Sequence, residues 1–85
     1  MKTGIKDKNG VEICVGDKVR KVNRLDNSTV WVVHFGEFKT IINHTIQTIH
    51  TLFLVDIEEK HEEIMETEIH WQYAENDKTE YEIIK

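Results

Sequence analysis

One cysteine and five histidines are the side chains most suited to catalysis or metal binding. A nucleophilic pair would require folding to bring a histidine to Cys14, the single thiol, which lies between two β-branched residues like a small hydrophobe of a short strand. The histidines are His34, His44, His50, His61 and His70. None of their spacings is that of a His-x-x-x-His zinc pair, and one thiol cannot form a paired-thiolate site. The chain is therefore predicted not to be an enzyme, with no catalytic residues, no metal and no cofactor.

Three carboxylates lie beside glycines near the start of the chain. Asp7, Glu12 and Asp17 flank Gly10 and Gly16. The glycines are too far apart for a phosphate-binding loop, and no Gly-Lys-Ser/Thr follows them. Acidic side chains next to turn glycines commonly accept hydrogen bonds from backbone amides. We interpret this segment as structural, with glycines that set turns and acids that cap them.

A basic cluster suggests one alternative function. The net charge is −5, but residues 1–42 hold eight Lys/Arg against five Asp/Glu, whereas residues 43–85 hold three against eleven. Lys18, Arg20, Lys21 and Arg24 are close enough in sequence to contact phosphates. Because the acidic half repels phosphates, we expect no tight nucleic-acid binding. Two alternatives stay open: a nucleic-acid-binding barrel that uses this cluster, and an acidic polyanion mimic that inhibits a nucleic-acid-binding protein.

Aromatic residues near predicted strand edges are candidates for a protein interface. They are Trp31, Phe35, Trp71 and Tyr73. A small domain leaves strand edges with unpaired amides, and this chain has no proline to protect them. We therefore expect a homo-oligomer, formed by edge pairing or by an aromatic patch.

Short strands are predicted to position all of these residues. Alternating apolar and polar positions with many β-branched and aromatic residues predict the strands Lys18–Val22, Thr29–Phe35, Phe38–Ile42, Leu52–Ile57 and Met65–Tyr73, and a short terminal strand over Glu80–Ile84. Asn9 and Gly10 predict a type I′ turn, and Gly36 is expected to form a turn or a bulge between the two strands of a hairpin. Only Glu58–Glu68 has a composition that also suits a helix.

Length and composition limit the chain to one small domain. Its 85 residues are 39% hydrophobic and 32% charged, as in ordinary globular proteins. The longest apolar runs, Val30–Val33 and Leu52–Val55, are far too short to span a bilayer. We expect a single soluble, cytoplasmic β domain over residues 1–85, built as a small barrel or sandwich of five to six antiparallel strands without a membrane partner.

An ordered motif extends from Thr3 to Val19. Its residues are Thr3, Gly4, Ile5, Asp7, Lys8, Asn9, Gly10, Glu12, Ile13, Gly16, Asp17 and Val19. The motif resembles that of the YopX family of phage and prophage proteins, whose members carry Thr-Gly-(Leu/Ile)-x-Asp-Lys-(Asn/Lys)-Gly-x-Glu-Ile-(Tyr/Phe)-x-Gly-Asp-x-Val. Cys14 stands where that family usually has an aromatic residue.

The resemblance implies a β-rich fold with an SH3-like barrel element and a protein that acts in the cytoplasm of a bacterial host. It implies no established molecular activity. Taken with the residue patterns, it leads us to expect a non-catalytic module that binds itself, a host protein or a phage protein.

Overall fold

The computed structural model describes residues 1–23, 28–65 and 79–84. Within these residues the chain forms strands only: β1 (Lys2–Lys6), β2 (Glu12–Cys14), β3 (Lys18–Lys21), β4 (Trp31–Ile42), β5 (Thr45–Asp56), β6 (Glu62–Ile64) and β7 (Tyr81–Ile84). In this described part of the chain no helix is long and apolar enough to cross a membrane.

The strands form two antiparallel sheets. β1 pairs with β2, and the larger sheet has the order β6-β5-β4-β3-β7. The prediction of a mainly β, antiparallel fold is thus confirmed. The described residues do not close the larger sheet into a barrel, because its first and last strands, β6 and β7, are not paired with each other.

The core lies on one face of the larger sheet. Side chains alternate between the two faces of a strand, so the paired residues Val19 and Trp31 share a face, as do Val33 and Leu54. Ile5 and Ile13 of the smaller sheet, with Met65 and Tyr81, complete this buried cluster. The smaller sheet therefore packs on the face of the larger sheet that carries the buried residues of β3, β4, β5 and β7.

The β4–β5 hairpin corrects one prediction. Gly36 was expected to form a turn or a bulge, but it pairs with Thr51 in the middle of a continuous twelve-residue ladder. The turn lies instead at Asn43 and His44, whose φ angles of 52° and 64° are those of a type I′ turn. Glycine permits a turn without requiring one, and β-forming neighbours on both sides extend β4 through it. The predicted strands Thr29–Phe35 and Phe38–Ile42 are therefore parts of one strand.

The other predicted strands agree with the structure to different extents. Lys18–Val22 corresponds to β3, Leu52–Ile57 to the second half of β5, and Glu80–Ile84 contains β7. Met65 follows directly after β6 instead of beginning a strand, and the remainder of the predicted strand Met65–Tyr73 lies outside the described residues. The described part of Glu58–Glu68 contains a turn and β6, and no helix.

Candidate functional site

The first glycine turn of the Thr3–Val19 motif connects β1 to β2. The Asp7 amide donates to the Val11 carbonyl at 2.8 Å, and the Gly10 amide donates to the Asp7 carbonyl at 3.0 Å. This pattern, with Gly10 at φ 80°, is a type I turn followed by a left-handed residue. The predicted turn is present at this position, but it is not of type I′, because Asn9 does not have a positive φ.

The Asp7 carboxylate connects this turn to the C-terminal strand. One oxygen accepts the amides of Asn9 and Val11, each at 2.9 Å, and the other accepts the Ile83 amide of β7 at 3.3 Å. Burial alone would raise the pKa of Asp7, but the amides of Val11, Ile83 and Asn9 outweigh it and the pKa is lowered. The Lys8 amide also donates to the Tyr81 carbonyl at 2.8 Å. These two hydrogen bonds fasten the turn to β7.

The second glycine turn fastens β2 to the large hairpin. The Cys14 amide donates to the Asp17 carboxylate at 2.8 Å, and Gly16 has a φ of 96°. The Gly16 amide donates to the Val33 carbonyl at 2.8 Å, and the Val33 amide donates to the Asp17 carbonyl at 3.0 Å. Gly4, the remaining glycine of the motif, lies in β1 where the register with β2 shifts. The motif therefore holds the base of β4 in place.

The basic cluster is divided between the two faces of the sheet. Lys18 and Arg20 are exposed on the face opposite the core, whereas Lys21 lies on the core side, because strand residues alternate. The Arg20 guanidinium pairs with Glu82 at 2.6 Å, and Lys21 pairs with Glu63. Arg24 lies outside the described residues. The described part of the cluster does not form one continuous basic surface.

Glu82 of β7 forms ion pairs with two basic side chains. Its carboxylate accepts Lys8 at 2.6 Å as well as Arg20 at 2.6 Å. Hydrogen bonds from Lys8 and then from Arg20 lower the pKa of Glu82. These basic groups therefore neutralise an acidic residue of the same surface.

The predicted interface aromatics have different positions. Trp31 is 6% exposed and belongs to the core, because it lies on the same face of β4 as Val33 and both are covered by the smaller sheet and Met65. The Lys21 ammonium lies 5.0 Å from the centre of its ring. Phe35 is 52% exposed. Trp71 and Tyr73 lie outside the described residues. Phe35 is therefore the predicted interface residue that the structure places at the surface.

A two-stranded extension of the larger sheet is the most distinctive surface of the described residues. We call residues 35–52, the part of the β4–β5 hairpin that extends from Phe35 to Leu52, the arm. On one side, β3 and the turn before it pair with β4 only as far as Val33. On the other side, β6 and Met65 pair with β5 only as far as Leu52, whose carbonyl accepts the Met65 amide at 3.0 Å. Between these limits the described residues pair β4 and β5 only with each other.

The end of the arm carries exposed aliphatic side chains. Ile41 and Ile46 pair directly across the hairpin and are 72% and 73% exposed. Sequence reasoning did not select them, although the many Ile residues without alternating charge in this stretch were a signal. On the opposite face, the Phe53 ring lies 5.5 Å from both His34 and Phe38. The arm therefore carries apolar side chains on both faces, Ile41 and Ile46 on one and Phe38 on the other.

The candidate catalytic and metal-binding residues do not form a cluster in the described part of the chain. Cys14 is half-buried in β2, and His34, His44, His50 and His61 are all exposed. His70 lies outside the described residues. Over residues 1–23, 28–65 and 79–84, no three His, Cys, Asp or Glu side chains are grouped closely enough to hold a metal ion.

Comparisons with protein-family models, curated proteins and solved structures found no match to this chain.

Proposed function

We propose that this chain is a YopX-like, non-catalytic interaction module that self-associates through the arm. The observation that carries the proposal is the exposure of the Ile41–Ile46 pair at 72% and 73% on a ribbon that is two strands wide in the described residues. A two-stranded ribbon is marginally stable in water, and three or more strands with an apolar face are needed for independent stability. An exposed apolar ribbon is also a template for another strand. Self-association supplies both the missing strand and the apolar cover.

The hydrogen bonds at the base of the hairpin support this function. Asp17 and Gly16 hold β4 at Val33, and Asp7 connects the first turn to β7. These contacts fix the direction in which the arm leaves the sheet, so that a partner meets a preorganised surface. As part of the same proposal, the base corresponds to the SH3-like element of YopX-like proteins, and the module acts in the cytoplasm of a phage-carrying bacterium.

The charge pairing favours a protein partner over nucleic acid. Arg20 and Lys21 each pair with a glutamate, and Lys8 shares the glutamate of Arg20. A phosphate backbone would have to displace these carboxylates, while nucleic-acid affinity comes mainly from cations that are free to replace condensed counterions. Lys8, Arg20 and Lys21 are therefore poorly disposed to bind phosphates.

The test compares two double variants by sedimentation-velocity ultracentrifugation over a series of concentrations. Ile41→Thr/Ile46→Thr keeps β-branched residues in the ribbon but makes its end polar. The matched control is Val11→Thr/Ile57→Thr, because these residues are 54% and 57% exposed and lie outside the arm. We expect the natural chain and the control to self-associate and the arm variant to remain a 10.1 kDa monomer. Circular dichroism establishes that each variant retains its strands.

Two results would contradict the proposal. One is a natural chain that stays monomeric at every concentration. The other is an arm variant that associates as well as the control, which would place the interface elsewhere. A titration with single- and double-stranded oligonucleotides at about 0.15 M salt serves as a further check, since tight binding there would support the nucleic-acid alternative.

A further inference from the structure

The turn at the end of the arm determines which backbone groups face outward. In a two-residue hairpin the residues flanking the turn, here Ile42 and Thr45, form a hydrogen-bonded pair. Even-numbered residues of β4 therefore bond to β5, and odd-numbered residues point their amides and carbonyls away from it. Val33 fits this pattern, because its amide and carbonyl bond outward to Asp17 and Gly16.

The outer edge of β4 within the arm is therefore formed by four residues: Phe35, Glu37, Lys39 and Ile41. None of the described residues hydrogen-bonds to the outward backbone groups of these four. Along this edge the side chains read apolar, acidic, basic, apolar. When two copies of this edge lie side by side in antiparallel orientation, each acidic residue faces a basic one and each apolar residue faces another apolar residue.

We propose that a second copy of this chain pairs with this edge, β4 against β4 in antiparallel orientation, about a two-fold axis at Phe38. This inference rests on the proposed self-association and deepens it by naming the surface and the register. Glu37 then lies opposite Lys39 of the second copy, and Phe35 lies opposite Ile41 of the second copy. Because the interface is two-fold symmetric, each of these pairs occurs twice.

The charges select this register over its neighbours. An axis at Glu37 would place the two Glu37 carboxylates opposite each other, and an axis at Lys39 would place the two ammonium groups opposite each other. Directly opposed like charges destabilise an antiparallel pair, and opposite charges stabilise it. The axis at Phe38 gives two attractive pairs and leaves neither charge facing its own kind.

The length of the edge that the described residues leave unpaired fits the same register. With the axis at Phe38, Phe35 pairs with Ile41 of the second copy, so the pairing uses the whole edge from 35 to 41. It ends before Val33, whose outward groups are already bonded to the turn before β3. The two ribbons become a four-stranded sheet, in which Phe35 and Ile41, now 52% and 72% exposed, cover each other across the new strand pair.

The decisive experiment uses two single charge variants, alone and mixed. Glu37→Lys places lysines opposite lysines in its own dimer, and Lys39→Glu places glutamates opposite glutamates. We expect each variant alone to dimerise at least about tenfold more weakly than the natural chain. In an equimolar mixture, every 37–39 pair between the two different chains again joins Lys with Glu. Sedimentation should therefore show heterodimers with nearly the natural affinity.

Two controls distinguish the register from general electrostatics. Glu58→Lys and Lys60→Glu make the same charge changes at side chains that are both 69% exposed and lie outside the arm. Each should dimerise like the natural chain. In a Cys14→Ser background, Phe38→Cys should form a disulfide-linked dimer with oxidised glutathione, because the axis brings the two positions 38 together. Thr40→Cys should not, because that axis places it opposite Gly36 of the second copy.

The outcomes separate this inference from the broader proposal. If the natural chain dimerises through the arm but the charge variants dimerise equally well, or if Thr40→Cys crosslinks in place of Phe38→Cys, the register is refuted and self-association through the arm stands. If the natural chain does not associate at all, both are refuted. Rescue in the mixture of charge variants, together with the crosslink at position 38, establishes the paired β4 edges.

Discussion

Replacing Asp7 by alanine tests whether one carboxylate holds the two ends of the chain together. The carboxylate accepts the amides of Asn9 and Val11 within its own turn, each at 2.9 Å. It also accepts the Ile83 amide at 3.3 Å, from a residue 76 positions further along the chain. In Asp7→Ala all three amides lose this acceptor, and the turn before β2 loses its connection to β7.

The magnitude follows from the surroundings of each amide. A hydrogen bond to a charged acceptor contributes about 1.5–3 kcal/mol, and a local turn or cap bond contributes about 0.5–2 kcal/mol. Asn9 and Val11 are exposed, so water replaces much of what they lose, whereas Ile83 is half-buried. We expect Asp7→Ala to lower the free energy of unfolding by about 2–4 kcal/mol, and Asp7→Asn, which keeps one acceptor oxygen, by about 1–2 kcal/mol.

Urea denaturation followed by circular dichroism measures this loss, at one protein concentration because association shifts apparent stability. The melting temperature should fall by about 4–8 °C for each kcal/mol in a domain of this size. Glu58→Gln is the control, since it removes the same charge from a side chain that is 69% exposed. An Asp7→Ala variant within about 0.5 kcal/mol of this control would refute the assignment of Asp7 as the connection between the N-terminal turn and β7.

Acid should reduce the stability advantage of the natural chain over Asp7→Asn. The folded state lowers the pKa of Asp7, so its contribution is complete above the unfolded carboxyl pKa of about 4 and is lost as the pH falls through the lower folded value. Urea denaturation between about pH 7 and pH 3 checks this, and an unchanged difference would contradict it. Gly10→Val and Gly16→Val should each cost about 1–3 kcal/mol in the same assay, because φ angles of 80° and 96° strain a β-branched residue. Equal stability would show that these turns do not need glycine.

Local chemistry was enough to predict where the two N-terminal turns lie. Acidic residues beside Gly10 and Gly16 indicated capped turns, and Asp7 and Asp17 accept amide hydrogen bonds there. The distant partner of Asp7 could not be predicted, because Ile83 lies 76 positions further along the chain and no local sequence pattern connects the two residues. Tertiary contacts bring that amide to the carboxylate, because β7 pairs with β3 and its Tyr81 carbonyl accepts the Lys8 amide.

The long hairpin shows where local signals compete. Gly36 was the stronger turn signal in sequence, yet the chain turns at Asn43 and His44. Asparagine and histidine are among the few non-glycine residues that adopt left-handed backbone angles readily, so a signal was present. The turn that forms is the one that allows more residues of the two strands to pair, and the observed turn allows twelve consecutive pairs.

The sequence by itself determined that this chain forms strands and which residues share a face of each strand, since both follow from period-two alternation and β propensity. It did not determine which stretch of a face is covered. Trp31, Val33 and Phe35 lie on the same face of β4, yet they are 6%, 0% and 52% exposed. The difference arises because β3 and the turn before it reach along β4 as far as Val33 and end there. Burial depends on contacts with distant segments, so only the tertiary structure separated the core from the arm.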